Sequence, residues 1–140
     1  MFGRHDERID ELSQVPLFGD CRRNELEVIA SVVDEATIPA GRVLMREGRM
    51  GREAFVLLEG EADVEIGGER IAHIGPGDIT GEMALIEHQP RTATVITRTP
   101  VRALVLTQQS LDVVLDASAA ITLRVMRTLS ERLREVQSAA

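Results

Sequence analysis

Residues 54–68 read AFVLLEGEADVEIGG, and this stretch carries the pattern that decides the fold class. Its first part, Ala54 to Leu58, is a short apolar run of β-prone residues, which is typical of a strand buried on both faces. After Gly60, residues 61–66 alternate strictly between polar and apolar, which is typical of a strand with one buried face. The pair Gly67-Gly68 then provides a turn. The stretch therefore predicts two strands and the turns that bound them.

Turn-forming residues recur on both sides of this stretch, about every 8 to 13 residues. They are Pro39-Ala40-Gly41, Gly48 to Gly51, Gly60, Gly67-Gly68, Gly75-Pro76-Gly77-Asp78, Gln89-Pro90 and Thr99-Pro100. A second apolar β-prone run extends from Val101 to Leu106. This rhythm predicts an eight-stranded β-roll or jelly-roll barrel over residues 35–107.

The two ends of the chain carry helical periodicity. Residues 5–33 predict short N-terminal helices, and residues 110–138 predict a short helix followed by a long one that begins near Ser118. The long helix has an apolar stripe of more than four turns, formed by Ile121, Val125, Leu129, Leu133 and Val136, with Leu123 outside it. Strands followed by a segregated helix indicate an α+β fold, which we expect to form one domain over residues 1–140.

The composition excludes several classes of function. The chain has 140 residues and a formal net charge of −7, and a field of that sign repels nucleic-acid phosphates and anionic lipid. We therefore expect no direct nucleic-acid binding and no membrane association. The sixteen basic residues are all arginine, which leaves no lysine nucleophile. The lone Cys21 cannot form an intramolecular disulfide, which fits a cytoplasmic protein.

The sequence indicates neither a hydrolytic site nor a metal site. No nucleophile-elbow motif is present, and His5, His73 and His88 do not form the His-x-His pair of a cupin metal site. His88 is read as a solvated loop residue, with tuning of an anion site as the alternative. We therefore expect no enzymatic activity, no metal and no other cofactor.

Residues 81–93 read GEMALIEHQPRTA and carry the candidate binding site. Gly81 permits close backbone approach, and Glu82 offers a carboxylate that only accepts hydrogen bonds. A helical turn over Met83-Ala84-Leu85 points its free amides at an anion. Arg91 supplies a planar guanidinium suited to phosphate, and Thr92 adds a hydroxyl. This combination predicts a site for a sugar phosphate, with Glu82 on a ribose hydroxyl and Arg91 on the phosphate.

This stretch closely resembles the phosphate-binding cassette of the cyclic nucleotide-binding domain family, which reads Gly-Glu, a large apolar residue, Ala or Gly, Leu, a short loop, Arg, a small residue and Ala. The resemblance covers residues 15–137, through Val15-Pro16-Leu17-Phe18, Pro39-Ala40-Gly41, Glu47-Gly48, Phe55 to Gly60 and Gly75-Pro76-Gly77-Asp78. It implies that Glu82 binds the ribose 2′-hydroxyl of a cyclic nucleotide and that Arg91 pairs with its cyclic phosphate. It also implies that the amides around Met83, Ala84 and Thr92 complete the anion site, and that Val64, Ile71 and Ile74 wall the sugar and base.

The resemblance also bears on which base is recognised. A Thr at the position of Thr92 favours guanine in eukaryotic kinases of the family, whereas bacterial members with Ser or Thr there commonly bind cyclic AMP. Val136 and Gln137 stand where the terminal helix of the bacterial activators caps adenine with hydroxyl side chains, and this is a departure from the pattern. Gln137 can donate and accept, whereas Val136 can only pack. We expect cyclic AMP to be preferred over cyclic GMP.

Two functions stay open at this stage. In the first, the chain is a regulatory module in which the ligand repositions the C-terminal helix and thereby controls a partner or a linked domain. In the alternative, Glu82 and Arg91 pair with each other in a degenerate domain of the same fold that binds no ligand. The given sequence ends after the long helix, where the activators continue into a helix-turn-helix, so we expect either a fragment of a longer protein or a module that acts on a separate partner; the downstream effector is unknown. Dimeric relatives pair through this helix, so we expect a homodimer.

Overall fold

A computed structural model describes the backbone of residues 2–139, and the side chains of residues 7–131, 133 and 134 except those of 83, 84 and 86. The chain divides into two compact units. A helical unit holds the residues up to Ser31 and from Asp112 onward, and a β unit spans Val32–Leu111. None of the helices in the described part of the chain has both the length and the apolar character needed to span a bilayer.

The β unit consists of two four-stranded antiparallel sheets. Its strands are β1 (Asp34–Ile38), β2 (Val43–Met45), β3 (Glu53–Glu59), β4 (Ala62–Ile66), β5 (Glu69–Ile74), β6 (Ile79–Thr80), β7 (Thr94–Thr97) and β8 (Val101–Thr107). The first sheet has the order β1-β8-β3-β6 and the second β2-β7-β4-β5. A short helix, α3 (Glu82–Glu87), connects β6 to β7. The prediction of an eight-stranded β-roll in an α+β fold is confirmed.

The core of the β unit lies between its two sheets. The first sheet contributes Phe55, Leu57, Val101 and Ala103, and the second contributes Met45, Ala62, Ile74 and Val95. The apolar run in β3 is buried from Ala54 to Leu57, because this strand has a neighbour on each side and packs on both faces. Removal of this apolar surface from water is the main contribution that holds the two sheets together.

Strand β4 departs from the expected burial pattern. Asp63, predicted to face water, is only 6% exposed, because Arg98 Nε lies 2.6 Å and His73 Nδ1 2.9 Å from its carboxylate oxygens. Arg70 approaches the same carboxylate at 3.8 Å. At the end of the strand Ile66 is 43% exposed, although the alternation predicted it to be buried. The hydrogen bond from His73, followed by that from Arg98, lowers the pKa of Asp63.

The helical unit contains α1 (Phe2–Gln14), a 3₁₀ turn (Pro16–Phe18), α2 (Arg23–Val32), α4 (Gln108–Ala117) and α5 (Ala119–Ala139), of which α4 begins within the β unit. Its buried apolar side chains include Ile9, Leu12, Phe18, Leu26, Ile29, Val114, Ile121 and Val125. Arg124 of α5 donates to the Asp20 carboxylate at 2.7 Å, which ties α5 to the loop before α2. Ser118 separates α4 from α5 and is 2% exposed.

The apolar stripe predicted on α5 is buried only at its beginning. Ile121 and Val125 are buried, whereas Leu133 is 58% exposed. Leu123 and Met126 are 47% and 61% exposed. Helix α5 therefore carries exposed apolar side chains in both of its halves, Leu123 and Met126 in the first and Leu133 in the second.

Candidate functional site

The pairing of β3 with β6 sets the position of the candidate site. Phe55 lies opposite Thr80 in this antiparallel pair. The start of β3, at Glu53, and the end of β6, just before Gly81, therefore lie at the same end of the pair. Gly81 adopts φ 90°, in the left-handed region that favours glycine, and serves as the N-cap of α3. The predicted short helix over 83–85 is present as part of α3.

Arg91 is anchored at this point by two backbone carbonyls. Its Nη1 donates to Gly81 O at 3.0 Å and its Nη2 donates to Glu53 O at 2.5 Å. The residue is only 9% exposed. Burial lowers the pKa of Arg91, while the carboxylates of Glu53 and Glu82 act in the opposite direction. A desolvated guanidinium in a fixed orientation is suited to an anionic ligand, which supplies the charge compensation that water no longer gives.

Two glycines allow the guanidinium to lie where it does. A Cβ built on Gly51 would meet Arg91 Cζ, and one built on Gly81 would lie 2.6 Å from Arg91 Nη1 and 2.8 Å from Met45 Sδ. Real side chains do not approach so closely, so neither position accepts a larger residue without displacing Arg91. Gly51 and Gly81 therefore act on the site by leaving space for Arg91.

Main-chain hydrogen bonds join the Arg91 segment to residues 46–52, which we call the β2–β3 loop. Arg91 N donates to Arg49 O at 2.7 Å, and Gly48 N donates to Arg91 O at 2.9 Å. Met50 and Pro90 form an isolated antiparallel bridge beside these bonds. The backbone of Arg91 is thus held by this loop, while its side chain is held by the ends of β3 and β6.

Glu82 lies in the first turn of α3 and is 1% exposed. A carboxylate at this end of a helix is favoured by the helix dipole. Its charge acts on Arg91, so the structure brings the two predicted site residues into one electrostatic environment. A buried carboxylate near a buried guanidinium can hold a ligand that presents a hydroxyl group and an anionic group.

The other predicted site residues are distributed as follows. Thr92 is exposed, Val64 is half-buried against the β core, Ile74 is buried in that core, and Ile71 is 57% exposed. The side chains of Met83, Ala84, Val136 and Gln137 lie outside the described residues. His88 ends α3 in the left-handed region, with φ 55°, and is exposed. The roles assigned to these residues stay predictions.

Sequence reasoning missed two parts of the site, namely Gly51 and the carbonyl of Glu53. In the sequence, Gly48 to Gly51 was identified only as a turn between strands. A glycine in that loop was visible as a turn signal, but nothing in the sequence shows that Arg91 lies against it. Among the described residues, no group of three or more His, Cys, Asp or Glu side chains is arranged to hold a metal ion.

A double-sheet β-roll that buries one arginine and one glutamate beside a short helix defines the class of the protein, a β-roll domain with a candidate site for an anionic ligand. The sequence profile of the family described as "Cyclic nucleotide-binding domain" matches residues 35–118. The chain belongs to this family, whose members include regulatory domains.

Individual relatives agree with this assignment. The chain is 33% identical over 114 residues to the cGMP-dependent protein kinase egl-4 of Caenorhabditis briggsae, covering 76% of this chain and 15% of the kinase. It is 32% identical over 103 residues to the cAMP-dependent protein kinase regulatory subunit of Colletotrichum orbiculare, covering 72% of this chain and 26% of that protein. The chain thus spans a small part of each curated relative. A solved structure described as "Sp-2Cl-cAMPS bound to PKAR CBD2" has the same fold, with a TM-score of 0.82 at 24% identity, covering 97% of this chain and 93% of that chain.

Proposed function

We propose that the chain is a non-enzymatic, cytoplasmic regulatory module that binds a cyclic nucleotide in its β unit, with Arg91 on the cyclic phosphate and Glu82 on the ribose 2′-hydroxyl. The anchoring of Arg91 carries this proposal. Among the described residues, carbonyls engage two of the five N–H groups of its guanidinium, and the others are available to a ligand. Since burial disfavours the charged guanidinium, a bound phosphate stabilises it.

The remaining assignments concern the sugar, the base and the choice of nucleotide. The amides around Met83, Ala84 and Thr92 complete the anion site, while Val64, Ile71 and Ile74, with Val136 and Gln137 from α5, surround the sugar and base. Cyclic AMP is the proposed ligand, with cyclic GMP as the weaker one. One relative is a cGMP-dependent kinase and another is a cAMP-dependent regulatory subunit, which supports a purine cyclic nucleotide as the ligand class.

Calorimetric titration with cyclic AMP and cyclic GMP tests the proposal. We expect a Kd of about 1 μM or lower for cyclic AMP, which corresponds to roughly 8 kcal/mol. Arg91→Ala should lose about 2–3 kcal/mol of binding free energy, because a charge-assisted contact disappears and its partner stays desolvated. Arg102→Ala is the matched control, since Arg102 of β8 pairs with Glu35 at 2.8 Å. Absence of binding to either nucleotide would favour the alternative, a degenerate domain, and unchanged affinity in Arg91→Ala would mean that the phosphate lies elsewhere.

The switch is proposed to act through α5. The chain runs from the Arg91 segment through β7 and β8 into α4, and only Ser118 separates α4 from α5. At this joint Thr122 Oγ1 donates to Leu115 O at 2.9 Å, so α5 is held to the last turn of α4. A ligand that binds one arrangement of this joint more tightly shifts the population toward it. Amide exchange in α5 should then change when cyclic AMP is added, and unchanged exchange there would contradict the switch.

A second copy of the chain is proposed as the partner of the exposed part of α5. Leu123, Met126 and Leu133 are exposed apolar residues at positions i, i+3 and i+10, the a and d spacing of a helix pair. Light scattering at tens of micromolar should give the mass of two chains, and Met126→Glu with Leu133→Glu should give the mass of one. A wild-type protein that scatters as one chain, with and without ligand, would refute the dimer.

A further inference from the structure

The β2–β3 loop carries three exposed arginines, Arg46, Arg49 and Arg52. Among the described residues none of the three has an ion-pair partner. The paired arginines of the β unit behave differently. Arg98 lies 2.6 Å from Asp63, and Arg102 lies 2.8 Å from Glu35. Within the described part of the chain, the loop arginines therefore present charge to solvent without an ion-pair partner.

The backbone of the same loop is fixed beside Arg91. Arg49 accepts the main-chain hydrogen bond of Arg91, and Arg52 directly precedes Glu53, whose carbonyl holds the Arg91 guanidinium. The loop that carries the three exposed arginines therefore lies directly beside the buried Arg91 guanidinium. Positive charge beside a binding site attracts an anionic ligand while the ligand is still approaching.

Two carboxylates belong to the same neighbourhood. Glu47 accepts a hydrogen bond from Gly67 N at 3.0 Å, which engages it with the turn between β4 and β5. Glu53 is exposed and its charge acts on Arg91. Residues 46–53 still carry more arginines than carboxylates, in a chain whose formal net charge is −7. Residues 46–53 therefore carry a net positive formal charge in a chain that is negatively charged as a whole.

We infer that Arg46, Arg49 and Arg52 form an electropositive entrance that speeds the association of an anionic cyclic nucleotide with the Arg91 site. The inference rests on the proposed function. Electrostatic steering acts on the encounter, raises on-rates by roughly 10- to 1,000-fold in strongly charged clefts, and weakens with salt. Because exposed arginines stay hydrated with or without ligand, the dissociation rate is affected little.

Stopped-flow mixing of the full chain with a fluorescent cyclic AMP analogue, at 50 and 300 mM salt, tests the inference. Arg49→Gln with Arg52→Gln should lower the association rate about 3- to 10-fold at low salt, flatten its salt dependence and leave the dissociation rate within about twofold. The matched control, Arg22→Gln with Arg23→Gln, removes the same two charges from the helical unit and should leave both rates nearly unchanged. Arg46→Gln with Arg52→Gln gives a second reading of the same effect.

The outcomes separate the inference from the proposed function. An equal loss of association rate in the test and control variants would assign the effect to net charge and overturn the inference. An unchanged association rate would also overturn the inference. A loss of affinity that comes only from faster dissociation would overturn it too, because it indicates direct contact between the arginines and the ligand. A wild-type chain that fails to bind the analogue at either salt concentration would instead refute the proposed function, and the inference with it.

Discussion

Replacing Gly51 by alanine adds a single methyl group against the Arg91 guanidinium. The new Cβ would lie 2.5 Å from Arg91 Nε and 2.7 Å from Arg91 Nη1, well inside van der Waals contact. Gly51 is not among the glycines with positive φ, so alanine meets no backbone strain there. The whole effect of the substitution therefore comes from the displacement of Arg91.

The size of the effect on binding follows from the interactions that the Arg91 guanidinium loses when it moves. Its hydrogen bonds to Gly81 O and Glu53 O come from the two terminal nitrogens of one planar group, so we expect a shift that relieves the methyl group to weaken at least one of them. Hydrogen bonds from a charged group are worth about 1.5–3 kcal/mol each. Misplacing the guanidinium relative to a bound phosphate by the same movement should weaken cyclic AMP binding by about 2–3 kcal/mol, or roughly 30- to 150-fold in Kd.

Calorimetry with cyclic AMP measures this loss, and thermal unfolding without ligand shows whether the variant still folds. Gly75→Ala is the control, because a Cβ at Gly75 meets nothing within 4 Å and its φ is not positive. That control should bind like the wild type. A folded Gly51→Ala protein whose Kd lies within threefold of the wild type would refute the view that these glycines position Arg91 for the ligand.

Two further predictions concern the stability of the β unit. Hydrogen bonds to Asp63, followed by Glu61, raise the pKa of His73. Its contribution to stability is therefore full below about pH 6.5 and is lost as the pH rises through the raised value, while that of Asp63 is lost as the pH falls through its own lowered value. His73→Gln should accordingly lower the melting temperature at pH 6 but not at pH 9, and equal losses at both would contradict this. Leu57→Ala should lower the free energy of unfolding, measured in urea, by about 2–5 kcal/mol, since Leu57 is fully buried. The control Ile66→Ala, at a 43% exposed position, should lower it by less than about 1 kcal/mol. Similar losses in the two variants would mean that Leu57 does not belong to the core.

Local chemistry accounts for the part of the fold that was predicted. Glycine and proline act on their own few residues, and the alternation of polar and apolar side chains reports a strand without reference to its partner. The rhythm of turns from Pro39 to Pro100 therefore indicated the strands of the β-roll. The helical spacing after Ser118 likewise indicated α5, and both features are present in the structure.

The partners of these elements depend on register, which no local pattern fixes. Counted from the Gly67-Gly68 turn without interruption, Asp63 would face Ala72, but a bulge between Val64 and Glu65 places His73 opposite it. The sequence alone thus gave no indication of the ion pairs that bury Asp63.

The candidate site divides in the same way. Glu82 and Arg91 were identified from the sequence because the residue types that can bind a sugar and a phosphate lie close together in residues 81–93. Gly51 and the Glu53 carbonyl belong to the site only because β3 pairs with β6 and the β2–β3 loop pairs with the Arg91 segment. A backbone carbonyl is present at every residue and a missing Cβ leaves only space, so tertiary contact alone gives either of them a role.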